Sequence, residues 1–278
     1  MNSKAVDFIT RHKDGPFFLS VDDSVGRVMH TLDEFKLSDN TVLIFTSDNG
    51  GVGGYNRPDG LQRDPGMEKQ GKKAKGSDSV GGGITDNAPL RSGKGSLYEG
   101  GTREPFIVRW PGVTQPGSSC NISTIHVDIY PTFLEIAAAP KPRQTLDGES
   151  LGSLFRDASA KLQRDAIFQH FPGYLGSGPG LWRATPVSLI QAGDWKLMEF
   201  LEDGRLELYN LSEDIGETKN LANDQPEKTK ELHNRLLVWR AEVNAPMPVK
   251  NDGKQAKPND KAKGKTNGRG KRKAKTSE

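Results

Sequence analysis

Two periodicities alternate along the chain. Val25, Val28, Met29, Leu32 and Phe35 or Lys36 recur at helical spacing, which predicts an amphipathic helix opened by Asp22 or Asp23 as its cap. A short strand is expected ahead of it, from Pro16 to Val21, and a turn behind it at Ser38, Asp39 and Asn40. From Thr41 to Ser47, apolar and β-branched residues follow one another without alternation, the pattern of a strand buried on both faces. Helix, short turn and buried strand in this order predict an α/β unit whose parallel sheet is covered by helices.

Periodicity then stops. From Val52 to about Pro89, Gly, Lys, Asp and Pro predominate, and a long loop is expected. Phe106 to Trp110 reads as a further strand, closed by Pro111 and Gly112. Ser123 to Ala139 reads as a helix with Ile129, Phe133, Leu134 and Ile136 or Ala137 on its apolar face. Between Val187 and Leu211 the pattern changes to alternation, with Asp203-Gly204 placed between two segments as a hairpin turn. Pro226 to Val243 closes with an amphipathic helix expected to face the body through Leu232, Leu236, Leu237 and Trp239 or Arg240. Trp195 and Trp239 are expected in the core, and no internal repeat is visible.

Composition changes this picture at one end. Of the 278 residues, 33% are hydrophobic and 27% charged, and the mean hydropathy is −0.67, so part of the chain is not expected to pack. From Pro246 to Glu278 there are eleven Lys or Arg against three acids, with almost no apolar residue. The pI near 8.8 therefore describes an acidic body with a basic appendage, not a nucleic-acid-binding fold. The division expected is residues 1–145 as an α/β domain, 146–245 as a smaller subdomain with the hairpin and final helix, and 246–278 as a disordered basic tail able to hold polyanions. The single cysteine, Cys120, excludes an intramolecular disulfide and a multi-cysteine zinc site. The first residues show no signal-peptide pattern and no window is apolar enough to span a bilayer, so a soluble chain without a membrane partner is expected.

Chemistry concentrates in two stretches. The buried strand ends in "TSDNGG", where Asp48 and Asn49 are poor strand formers but offer a carboxylate and an amide oxygen suited to a hard divalent cation, with Gly50 and Gly51 turning the backbone behind them. An Asn-Gly turn that merely follows a strand would read the same way. In "PLRSGKGSLYEGGTREPFIVRWPG", Lys94 stands between Gly93 and Gly95, so an anion can approach its ammonium closely. His170, in "FQHFPGY", is a further candidate for substrate binding, and Trp182 and Arg183 lie in the adjacent loop. His30 reads as a surface residue. His126 and Asp128 precede a helix and read as capping groups.

Taken together, "NTVLIFTSDNGG", the Lys94 block with its GGxRxP ending, "DIYPTFLEIAAAP" with "LDGESL", and "AGDWKLMEF" with "LELYNLSEDIGETKNLA" resemble the later part of an arylsulfatase-type sulfatase, over roughly Val6 to Val243. The resemblance implies an alkaline-phosphatase-like α/β domain with helices on both faces of a mixed sheet, followed by a small antiparallel subdomain. It implies a sulfuric ester hydrolase that uses Ca²⁺ and a formylglycine, with a sulfate ester as substrate and sulfated polysaccharide as a candidate. Asp48 and Asn49 match the family's second pair of metal ligands, and Lys94 the lysine that contacts the sulfate. The C-x-P-x-R or S-x-P-x-R motif that yields formylglycine does not occur in this sequence; Cys120 is followed by Asn-Ile-Ser-Thr. The first metal pair has no match either, since Asp22-Asp23 falls at a helix start. The sequence thus resembles a sulfatase without its first half and without an internal segment after Val21, so no catalytic residue is assigned. The family suggests a periplasmic or secreted location. A non-catalytic polyanion-binding or interaction protein is the alternative, and a phosphatase-like relative ranks last because of the Lys94 block.

Overall fold

The computed structural model describes residues 19–51, 87–176 and 182–249. Most of the loop after Val52 and the basic tail from Lys250 lie outside the described residues. So does the start of the strand expected at Pro16, and its end is not a strand. Leu19–Val21 open the helix α1 (Leu19–Glu34). Val21, Val25, Val28 and Leu32 form one continuous helical series, so the helix begins a turn before its acids, and Asp22 sits within the first turn instead of at the cap. The apolar face of α1 is not buried by the described residues: Val28, Met29 and Phe35 are exposed, and Val25 and Leu32 are half-buried. His30 lies on the surface, paired with Glu34 one turn on.

A 3₁₀ turn at Ser38–Asn40 leads into β1 (Leu43–Thr46). The parallel sheet expected around this strand is not what the described residues form. β1 pairs antiparallel with β2 (Phe106–Arg109), Thr46 opposite Phe106 and Leu43 opposite Arg109, and all four β1 residues are only half-buried. The reason lies in the return path. The chain leaves β1 through the Asp48–Gly51 turn and comes back through the short helix α2 (Glu99–Thr102), whose Gly101 carbonyl accepts from Gly50 N–H at 3.2 Å. The start of β2 is thereby fixed beside the end of β1, and only an antiparallel register follows.

Next comes a 3₁₀ turn at His126–Asp128 and the helix α3 (Ile129–Ile136). The residues α3 buries are Pro131 and Thr132, while Phe133, expected inside, is exposed. The helix is rotated because Thr132 is committed: its hydroxyl donates to Asp128 O and accepts from Leu151 N–H just before α4 (Gly152–Arg156). Asp128 is fully buried; it accepts from Ile125 N–H and Glu149 N–H and takes both terminal nitrogens of Arg164, which accounts for its capping role.

The C-terminal subdomain is a four-stranded antiparallel sheet in the order β3 (Ala166–Phe171), β6 (Val187–Ala192), β7 (Trp195–Phe200), β8 (Arg205–Asn210), with a separate two-stranded ribbon of β4 (Leu175–Gly176) and β5 (Trp182–Ala184). Period-two alternation explains its two cores. Ile190, Leu197 and Leu208 point to one face and are sealed by Leu232 and Leu236 of α5 (Pro226–Glu242). Their neighbours Leu189, Met198 and Tyr209 point to the other face, where Leu97 and Tyr98 pack. The last helix buries Thr229, Leu232, Leu236 and Arg240, whereas Leu237 is 41% exposed. Trp239 and Trp195 are partly buried at this core's edge, Trp239 stacked on Phe168.

Candidate functional site

The Asp48–Asn49 turn and the Lys94 loop meet through their backbones. Lys94 N–H donates to Gly51 O at 2.9 Å, and the Asn87 side-chain amide donates to both Gly51 O and Ser92 O, at 2.9 and 3.0 Å. Gly100 N–H donates to Arg91 O at 2.7 Å, which folds the loop onto α2. The approach is close enough that a Cβ on Gly50 would collide with the Gly100 carbonyl oxygen, so this position admits no side chain. Asp48 and Lys94 are exposed and Asn49 is half-buried, so the carboxylate and the ammonium are open to a ligand. Asn87 has no sequence signature; its role is visible only because it bridges two segments distant along the chain.

Two titratable groups flank the turn that sequence reading did not connect with it. His126 Nε2–H donates to Ser47 O at 3.2 Å. Glu104, the variable position inside GGxRxP, keeps one buried carboxylate oxygen without a hydrogen-bond partner. Burial lifts its carboxyl above the ordinary range; His126 pulls it back and Asp48 pushes it up. Both residues line a small cavity of about 60 Å³ with Thr46, Ile125, Ile129 and Leu151.

Behind the lysine loop stands a buried ionic framework. Lys196, on the same face of β7 as Met198, is 1% exposed and places its ammonium 2.9 Å from Glu99 Oε1 and 2.9 Å from Glu217 Oε1. The second Glu217 oxygen accepts from Glu99 N–H at 2.7 Å, and Glu99 also takes Arg103 Nε–H at 2.6 Å. Burial opposes the charge on Lys196, but Glu217 and Glu99 outweigh it and hold its pKa above the ordinary lysine range. Glu99 is desolvated too, yet Lys196 and Arg103 bring it below the usual carboxylate range; burial keeps Glu217 above it. Next to this triad, Arg91 donates to Tyr209 OH and Glu217 O at 2.9 Å each and lies 3.7 Å over the Tyr98 ring, while Tyr98 and Tyr209 both donate to Glu207. The loop that carries Lys94 is therefore clamped to β7, β8 and the turn after β8.

His170 does not belong to this constellation. Its Nδ1 meets Ser188 Oγ and its Nε2 meets Pro246 O, both at 2.7 Å, so the structure gives it a structural position between β3, β6 and the segment after α5. Asp48 and Asn49 supply oxygen donors of the kind Ca²⁺ prefers, which fits half of a hard-cation site. Among the described residues no group of three or more His, Cys, Asp or Glu is placed to hold a metal. No helix among them is long and apolar enough to cross a membrane.

Comparison with known proteins agrees with this geometry. Residues 4–139 match the sulfatase family profile, and residues 93–242 match the profile for the C-terminal part of N-sulphoglucosamine sulphohydrolase. A sulfatase of Formosa agariphila is 34% identical over 252 residues, covering 82% of this chain and 39% of the relative. An N-acetylgalactosamine-6-O-sulfatase of Bacteroides thetaiotaomicron is 31% identical over 271 residues, covering 85% and 49%. Among solved structures, a protein in complex with its substrate D-glucosamine-2-N,6-O-disulfate superposes with a TM-score of 0.61 at 25% identity, over 82% of this chain and 40% of that one. A phosphonate monoester hydrolase from Silicibacter pomeroyi shares the fold at a TM-score of 0.56 and 23% identity. The chain thus spans less than half the length of these relatives, and over that span it has their alkaline-phosphatase-like α/β fold and antiparallel C-terminal subdomain. With its Asp-Asn turn and glycine-flanked lysine joined by backbone hydrogen bonds, the chain belongs to the sulfatase family.

Proposed function

We propose that this chain carries the sulfate-gripping part of a sulfuric ester hydrolase of the arylsulfatase type, with the sulfate ester of a glycan as substrate. The observation that supports this best is the hydrogen bond from Lys94 N–H to Gly51 O, which ties a loop with one exposed ammonium to a turn with two oxygen donors. An ammonium and a cation on one surface neutralise the oxygens of a transferring sulfuryl group as charge develops on them. Asp48 and Asn49 would hold Ca²⁺, which when bound supplies that positive charge. Lys94, free of bulk on either side, orients the anion, and the framework around Lys196 keeps the loop in place.

The nucleophile-bearing motif is not in the sequence, so turnover by this chain alone is not expected. The purified chain should bind a sulfated monosaccharide without cleaving 4-nitrophenyl sulfate with saturable kinetics. In a calorimetric titration, Lys94→Ala should weaken sulfate-ester binding by about tenfold or more, the usual scale for a charge-assisted contact. Unchanged affinity in that variant would remove Lys94 from the site.

A further inference from the structure

The β4–β5 ribbon lies directly on the lysine loop. Gly95 has φ +90°, and a Cβ there would stand 2.7 Å from Leu175 Cδ2 and 3.3 Å from Arg183 Cδ. Both strands of the ribbon therefore touch the residue that follows Lys94. Leu175 pairs with Ala184 and Gly176 with Trp182, so Arg183 is the extra residue of a bulge, a device that re-aims a side chain away from the regular pleat. Its stem packs on Gly95 while the residue as a whole is exposed, so the guanidinium is carried outward beside the lysine loop. On the preceding turn, Tyr174 is 48% exposed although its hydroxyl is fixed by Glu202, and Leu175 is 44% exposed. An aromatic ring held at its hydroxyl and bare elsewhere, an apolar neighbour and a re-aimed arginine make a surface that is apolar and cationic at once.

We propose that this ribbon is the sugar-facing wall of the site: Tyr174 and Leu175 take the apolar face of a pyranose ring, and Arg183 takes a second anionic group on the same glycan. The inference rests on the reading of Lys94 as the contact to the scissile sulfate. A planar guanidinium matches the paired oxygens of a sulfate or carboxylate, whereas a lysine acts as a point charge. Two cations of different geometry on adjoining elements select a doubly anionic ligand over a singly anionic one. The substrate class is therefore a glycan that carries a sulfate ester and a further sulfate or carboxylate close by.

The test is calorimetric binding of two probes, N-sulfoglucosamine 6-sulfate and N-acetylglucosamine 6-sulfate, to the full chain and to Arg183→Ala, Tyr174→Ala and Lys94→Ala. The wild-type chain should prefer the disulfated sugar by about tenfold, from one added charge-assisted contact. Arg183→Ala should abolish that preference and leave the affinity for the monosulfated sugar unchanged within about twofold, Tyr174→Ala should weaken both probes alike, and Arg183→Lys should restore only part of the preference. Equal affinity of the wild-type chain for the two probes, or a preference that survives Arg183→Ala, overturns the proposal. If Lys94→Ala changes neither affinity while Arg183→Ala acts as expected, the Lys94 reading falls and the wall stands. Loss of binding to both probes in Lys94→Ala with no effect at Arg183 does the reverse.

Discussion

Lys196 is the residue on which the site's geometry turns, although it touches nothing exposed. Alone it would be costly to bury; with Glu99 and Glu217 each at 2.9 Å it forms a triad in which every charge has a partner. Lys196→Met would keep the stem's packing and leave two carboxylates buried, Glu99 with only Arg103 and Glu217 with a backbone N–H. The expected cost is about 3–5 kcal/mol, read as a lower urea midpoint, and a larger loss of sulfate-ester binding than Lys196 could cause by contact. Alkaline pH should act on the same cluster. Lys196 is held above its ordinary pKa, so its stabilisation is complete below the unfolded lysine value near 10.4 and is lost as pH rises through the folded one. Burial, with Glu207 adding, raises Tyr98 and Tyr209, so the unfolded chain releases their protons first and stability falls in the same direction above about pH 10. The thermal midpoint should therefore drop steeply over that range, and less steeply in Tyr98→Phe. A flat profile to pH 11 would contradict the assignment of these shifts.

At the scale of elements, α5 separates what spacing alone leaves joined. Leu236 and Leu237 are adjacent and both fall within an apolar series, yet Leu236 is 0% exposed and Leu237 41%. Leu236→Ala should cost about 2–5 kcal/mol, while Leu237→Ala should stay within about 0.5 kcal/mol; urea unfolding of the two variants measures the difference directly. The contrast shows what the sequence carried and what it did not. The hairpin at Asp203-Gly204, the strands around it and the final helix were legible because period two and period 3.6 are strong signals and the turn has its own chemistry, Gly204 standing at φ +74°. The antiparallel sense of β1 and β2 was not legible, since it is set by hydrogen bonds from the Gly50 turn to residues some fifty positions on. Nor was the face of α3, which Thr132 decides through a hydroxyl. Asp48, Asn49 and Lys94 could be read as candidates because each sits in a local motif. Glu104, His126 and the Lys196 triad could not, because their meaning lies in partners far along the chain, and a lysine inside an alternating strand reads as a solvent-facing residue.

Across the whole molecule the burial is uneven, and this has a measurable consequence. The C-terminal sheet has a core on each face, sealed by α5 on one side and by Leu97 and Tyr98 of the lysine loop on the other. At the other end, α1 exposes Val21, Val28 and Met29, and β1–β2 is a two-stranded sheet on which Ile107 is 62% exposed. A 16-residue helix without tertiary cover is marginal in water, and a lone pair of four-residue strands is no better. The chain spans less than half the length of the relatives it matches, so the cover for that face is not among the described residues. Native-state hydrogen exchange on the isolated chain should then show two levels of protection. Amides of β6 and β7 should exchange only through global unfolding, and those of α1 through local opening, faster by a factor of about 10² or more. Between the two, the amides of Lys94, Gly100 and Gly101 should follow the C-terminal sheet, because the Lys196 triad ties their loop to β7 and the Glu217 turn. Protection of α1 equal to that of β6 would show that some segment of this chain covers its apolar face. Protection of the Lys94 loop equal only to that of α1 would show that the buried triad does not hold the site, and with it would go the account of how a lysine so exposed keeps its position.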